Sequence, residues 1–208
     1  MPTSPLRIAF VPGVTPDKWL RIWADRYTTP IEAVPIADED QLAVLRERTA
    51  DMCLLRLPVE REGLHVIPLY TETPVVVVAK DHVITALDEV TTADLADEHE
   101  ILPDAMTTKQ VIEVAASGAG YVIVPMSIAR LHHRKDVATR PVTDIEGSRI
   151  GLAWRADNED ERLEQFIGIV RGRTERSSRT APTPPTERPR RTAPIKAPRR
   201  GRGTKRRP

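Results

Sequence analysis

An α/β fold is predicted for residues 1–170, and two observations carry that reading: short apolar runs alternate with amphipathic stretches at helical spacing, and the connections between them are short. Strand, helix, strand, helix, strand in that order is the pattern of right-handed crossovers in a parallel sheet covered on both faces. A third observation, a reversal of charge at about Arg171, sets the remaining 38 residues apart as a tail.

The first predicted strand is Leu6 to Val11, closed by the turn Pro12-Gly13. A helix is expected next: Thr15 or Asp17 can cap it, Pro16 suits a first helical position, and Trp19, Leu20, Ile22, Trp23 and Tyr27 recur at helical spacing. Ile31 to Ile36 alternates as a second strand. Asp38 opens a second helix carrying Leu42, Val44 and Leu45 on into Arg48, and Asp51 to Leu57 returns as a third strand.

His65 to Leu69 and Pro74 to Val78 read as further strands, the second almost uninterrupted valine and therefore central and buried on both faces. Thr91 to Leu95 starts a short helix, Val111 to Ala116 a longer one, Tyr121 to Pro125 a buried strand, and Ser127 to His133 a helical turn or two. Arg149 to Trp154 is the last strand. Glu159 to Arg171 is a last amphipathic helix with Leu163, Phe166, Ile167 and Val170 inward.

From Arg171 onward fourteen Lys and Arg face only Glu175 and Glu187, a net of +12; the whole chain carries +1, so residues 1–170 are net −11. The tail holds seven prolines and one large aliphatic side chain, Ile195. It cannot offset a backbone ordering cost of roughly 1–2 kcal/mol per residue and is expected to be disordered. The one cysteine, Cys53, lies in an apolar run and has no partner for an internal disulfide, which fits a reducing compartment. No stretch approaches the roughly 18 apolar residues of a membrane span, and no secretory leader precedes Leu6, so a cytoplasmic protein is expected.

Motifs of catalysis and metal binding do not emerge. Gly118-Ala119-Gly120 follows a helix and precedes a strand, the reverse of a dinucleotide loop, and reads as a helix stop. His132 and His133 point to different sides of a helix, and Asp157 to Glu161 lacks the glycine of a calcium loop, so no metal is expected. Neither a Gly-x-Ser-x-Gly elbow nor a phosphate-loop lysine is present, and no cofactor or enzymatic activity is expected.

Five stretches, in order, carry a family resemblance: Leu6 to Phe10 with Gly13; Asp51 to Arg56; Ile67 to Val78 followed by Asp81-His82; Thr92 to Leu95; and Ala115 to Pro125. Over roughly residues 6–170 the chain resembles the effector-binding (substrate-binding) domain of LysR-type transcriptional regulators. The resemblance implies the type 2 periplasmic-binding-protein fold: two small subdomains with a mainly parallel sheet, the first at about 6–77 and 145–170, the second at about 78–144. The segment between Ile101 and Val111 is short for the family, so a truncated second subdomain and a reduced cleft are expected. With the first strand at Leu6, the family's N-terminal helix-turn-helix has no place ahead of it.

In that fold a small organic acid effector sits between the subdomains. By position the resemblance assigns Val14 and Thr15 to the first-subdomain wall, Arg56 and Pro58 to the end of the third strand, and Leu102 and Pro103 to the opposite wall. It leaves homodimerisation open. The tail is expected to bind nucleic acid, DNA in particular, through Arg188, Arg190, Arg191, Arg199, Arg200, Arg202, Lys205, Arg206 and Arg207, because guanidinium forks bind phosphates and release counterions. Arg200-Gly201-Arg202 resembles the core of an AT-hook, a minor-groove element, although Gly203 breaks the pattern. The reading is a non-enzymatic regulator-like protein with an effector-binding body and a DNA-binding tail. Its rival is a ligand-binding or protein-interaction module whose tail serves only solubility or localisation; separately, docking of the tail onto the acidic body would compete with DNA.

Overall fold

The computed structural model describes residues 4–172; the tail beyond Gly172, with its expected disorder, AT-hook-like segment and DNA-binding residues, lies outside the described residues. In chain order the elements are β1 (Leu6–Phe10), α1 (Asp17–Arg26), β2 (Ile31–Pro35), α2 (Ala43–Arg46), β3 (Met52–Leu57), β4 (Leu64–Thr71), β5 (Pro74–Ala79), α3 (Thr108–Ala116), β6 (Val122–Pro125), α4 (Met126–Leu131), β7 (Val137–Pro141), β8 (Arg149–Arg155) and α5 (Glu161–Val170). They form a five-stranded sheet, β2-β1-β3-β8-β4, and a three-stranded sheet, β6-β5-β7.

Strand periodicity explains both layers. In β3, Met52 and Leu54 enter one core with Leu6 and Ile8 of β1, Ile150 and Leu152 of β8, Trp23 of α1 and Phe166 of α5. The intervening Cys53, Leu55 and Leu57 enter the opposite core with Ala9, Ala153 and Leu45 of α2. Successive side chains of a strand point to opposite faces, so one apolar run supplies two cores. The valines of β5 behave alike: Val75 and Val77 pack under α3 and α4, whereas Val76 and Val78 meet Ile84, Val90, Leu95 and Val142.

Several expectations are corrected. Only β2-β1-β3 is parallel; β8 pairs antiparallel with both β3 and β4, and the small sheet is antiparallel throughout. The reason is the chain path: β8, returning from the second sheet, inserts between β3 and β4 and runs opposite to both, while β4 keeps the direction of β1–β3. The crossing falls at Glu72–Thr73, ahead of the boundary expected near 77, so all of β5 belongs to the second sheet. Asp38 opens a short 3-10 turn (Asp38–Asp40), and the helix itself is confined to α2. At α1 neither Thr15 nor Asp17 caps: Pro16 is the N-cap residue, with no side-chain cap, and its carbonyl accepts from the Trp19 and Leu20 amides. β7 was not anticipated, since Val-Ala-Thr-Arg-Pro has no apolar alternation; the free edge of β5, residues Val75–Ala79, supplies its ladder.

Candidate functional site

A cleft-like cavity of about 740 Å³ lies where the two sheets meet. Phe10, Pro12, Gly13, Val14, Thr15, Pro35 and Ile36, at the ends of β1 and β2 and in the loops that follow them, form one side, Tyr70 sits at the crossing, and Ser127, Arg130 and Leu131 of α4 close the other side. A three-stranded second sheet therefore still leaves a cleft, because its far wall is α4 rather than the 101–111 segment. The lining is mostly apolar with a few polar groups, the usual make-up of a small-molecule site.

Local structure explains each wall. Gly13 has φ +83°, and a Cβ there would lie 2.5 Å from Ser127 Oγ, so only glycine allows the turn after β1 to approach α4 so closely. Because Thr15 caps nothing, its exposed side chain is left on the cavity wall. Ser127 and Arg130 stand at i and i+3 of α4 and so share one helix face. Arg130 forms no side-chain hydrogen bond or ion pair among the described residues, and none of the lining residues is acidic.

Behind the cavity is a buried polar cluster. The Glu72 side chain is 3% exposed and accepts from Arg56 Nε at 3.0 Å, from Ser148 Oγ at 2.9 Å and from Ser127 Oγ. Arg56 also donates through Nη1 to Asp38 Oδ1 at 2.7 Å and through Nη2 to the Pro12 carbonyl at 3.1 Å. The Glu72 amide donates to the Ser148 carbonyl at 2.8 Å, and a Cβ on Gly147 would come within 1.9 Å of the Glu72 carbonyl oxygen. Both crossing segments are thus tied to each other, to α4 and to the turn below the cavity. Burial raises the Asp38 carboxyl above its ordinary range, with Arg56 pulling the other way. Burial and then the Glu72 charge raise the Tyr70 phenol, which is a neutral hydroxyl at physiological pH.

Of the residues assigned from sequence, Val14 and Thr15 line the cavity. Arg56 lies behind it with each of its three nitrogens bonded, neither a lining group nor a solvated surface charge. Pro58, Leu102 and Pro103 are exposed and are not among the lining residues. Sequence reasoning missed Tyr70, Glu72, Ser127, Arg130 and Ser148. One signal was readable: Glu72 is a lone carboxylate in the otherwise uncharged stretch Leu69 to Ala79. Among the described residues no cluster of three metal-ligating side chains occurs, and no helix is long and apolar enough to cross a membrane.

Comparison with known proteins assigns the class. The LysR substrate binding domain model matches residues 2–110, and the chain belongs to that family, whose domains are non-enzymatic effector-binding modules of transcriptional regulators. Its relatives include a probable hydrogen peroxide-inducible genes activator of Mycobacterium avium, 25% identical over 79% of this chain and 64% of that protein. A second is the HTH-type transcriptional regulator AlsR of Bacillus subtilis, 24% identical over 67% of this chain and 55% of the relative. The chain thus spans less than two thirds of either relative. Among solved structures, oxidized OxyR of Corynebacterium glutamicum superposes with a TM-score of 0.66 at 25% identity, covering 82% of this chain and 64% of that one. The BenM effector binding domain with its effector benzoate shares the fold, with a TM-score of 0.69 at 18% identity over 88% of this chain and 98% of that one.

Proposed function

We propose that this chain is the effector-sensing part of a LysR-type transcriptional regulator, that its cleft binds a small organic acid, and that its basic tail contacts DNA. The observation that carries the effector reading is the apolar cavity with the unpaired guanidinium of Arg130 on its wall. An anionic ligand with an apolar body would bury that body against Phe10, Val14, Ile36 and Leu131 and supply the missing countercharge. The tail reading rests on charge, since +12 on a proline-rich segment favours phosphate contacts with little sequence preference.

The peroxide response named for the mycobacterial relative is not carried over. Thiol oxidation needs an accessible thiolate. Cys53 is the one cysteine of the sequence, is 0% exposed, and burial pushes its thiol pKa up to about 12.

Thermal-shift titration of the full chain with small carboxylates tests the effector reading, because a ligand at a hundred times its Kd stabilises by about 2.7 kcal/mol. A saturable shift lost in Thr15→Trp, which fills the cavity from an exposed position, supports it; absence of any shift across aliphatic and aromatic acids refutes it. Mobility shift of DNA by the full chain, absent from a chain ending at Arg173 and weakening steeply with salt, tests the tail.

A further inference from the structure

The bond between Ser127 and Glu72 fixes which way the Ser127 hydroxyl can work. A hydroxyl has one proton and two lone pairs. Glu72 is ion-paired with Arg56 at 3.0 Å and accepts from three side-chain donors, Ser127 among them, so the Ser127 proton points at its Oε1. Charge-assisted O–H···O⁻ bonds are among the strongest a hydroxyl makes, and a ligand group would not displace it. Toward the cavity, Ser127 therefore presents lone pairs only. One turn on along the same face, Arg130 presents donors only.

We propose, on the reading that the cleft takes an organic acid, that it selects a hydroxy acid: the carboxylate meets Arg130, and the ligand's hydroxyl donates to Ser127 Oγ. A plain carboxylic acid leaves Ser127 without a donor. An amino acid satisfies Ser127 but places an ammonium in a cavity that already contains Arg130 and has no acidic side chain on its walls. Glu72 acts here as a positioning residue, through Ser127, without touching the ligand.

The test compares matched acids on the full chain by calorimetry: phenyllactate against 3-phenylpropanoate, and 3-hydroxybenzoate against benzoate, with phenylalanine as the ammonium counterpart. One hydrogen bond predicts that the hydroxylated member of at least one pair binds about fivefold tighter. In Ser127→Ala that ratio should fall to within twofold of unity, with far-UV circular dichroism and the urea midpoint reporting that the variant is folded. If the acids bind but neither pair discriminates, if discrimination survives in Ser127→Ala, or if phenylalanine binds tighter than phenyllactate, the hydroxy-acid inference is wrong while the organic-acid reading stands. If no acid of either kind binds, the organic-acid reading itself fails, and this inference with it.

Discussion

Replacing Glu72 by alanine should destabilise the body by about 3 kcal/mol, the low end of the cost of removing one partner from a buried ion pair. The magnitude follows from the geometry. Arg56 and Glu72 side chains are 16% and 3% exposed, so water cannot replace the lost carboxylate, and two hydroxyls, Ser127 and Ser148, lose their acceptor as well. The low end applies because Arg56 keeps Asp38 and the Pro12 carbonyl. For a body of this size the loss corresponds to a fall in Tm of roughly 6–12 °C. Urea unfolding of wild type, Glu72→Ala, Ser148→Ala and the double variant gives the coupling: Ser148→Ala should cost about 1 kcal/mol in wild type and close to nothing without Glu72. A Glu72→Ala loss below about 1 kcal/mol, or additive costs in the double variant, would falsify the claim that this cluster ties the two crossing segments together.

Other consequences are open to the same methods. Gly147→Ala places a methyl 1.9 Å from the Glu72 carbonyl oxygen, a clash with backbone on the crossing, and should cost about 3 kcal/mol or more in urea; a loss under 1 kcal/mol contradicts the close approach. Asp160 caps α5, accepting from the Arg162 amide at 2.9 Å, and its hydrogen bonds to Arg162 hold its carboxyl below the usual range. A depressed folded-state pKa contributes stability that is present above the unfolded value near 4 and is lost as pH falls through the folded one. Asp160→Asn should therefore narrow its stability deficit as the pH falls below the unfolded value near 4, whereas a deficit that is constant with pH would count against the ionised cap. Cys53 should react with a thiol reagent at pH 8 only as fast as the body unfolds, and rapid labelling of the native protein would contradict its burial.

Much of the fold was legible because its strands are buried on both faces. Met52 to Leu57 and the valines of β5 are continuous apolar runs, which local pattern alone marks as central strands. β7 was not legible: Ala138, Arg140 and Pro141 break any apolar alternation, and the segment is extended because β5 offers an edge and because Arg140 holds the carbonyls of Thr85 and Leu87. For the cleft, Val14 and Thr15 could be placed because they follow the turn glycine of β1. Ser127 and Arg130 could not, since in Met-Ser-Ile-Ala-Arg-Leu the apolar residues read as core and the others as solvated surface. Their role comes from the long-range approach of Gly13 to α4 and from the bond to Glu72, 55 residues away, and neither leaves a local pattern. The expected mainly parallel sheet failed for a similar reason, because strand direction after the crossing depends on the chain's return path.

Amide chemical-shift mapping of the full 23.3 kDa chain during titration with whichever acid stabilises it most tests the central claim directly. The account expects the perturbed amides to cluster at Gly13, Val14, Thr15, Ile36, Tyr70, Ser127, Arg130 and Leu131, on both sides of the cavity. Perturbations confined elsewhere, for instance to the groove of Leu20, Trp23, Tyr27 and Ile31 beside α1, would contradict it.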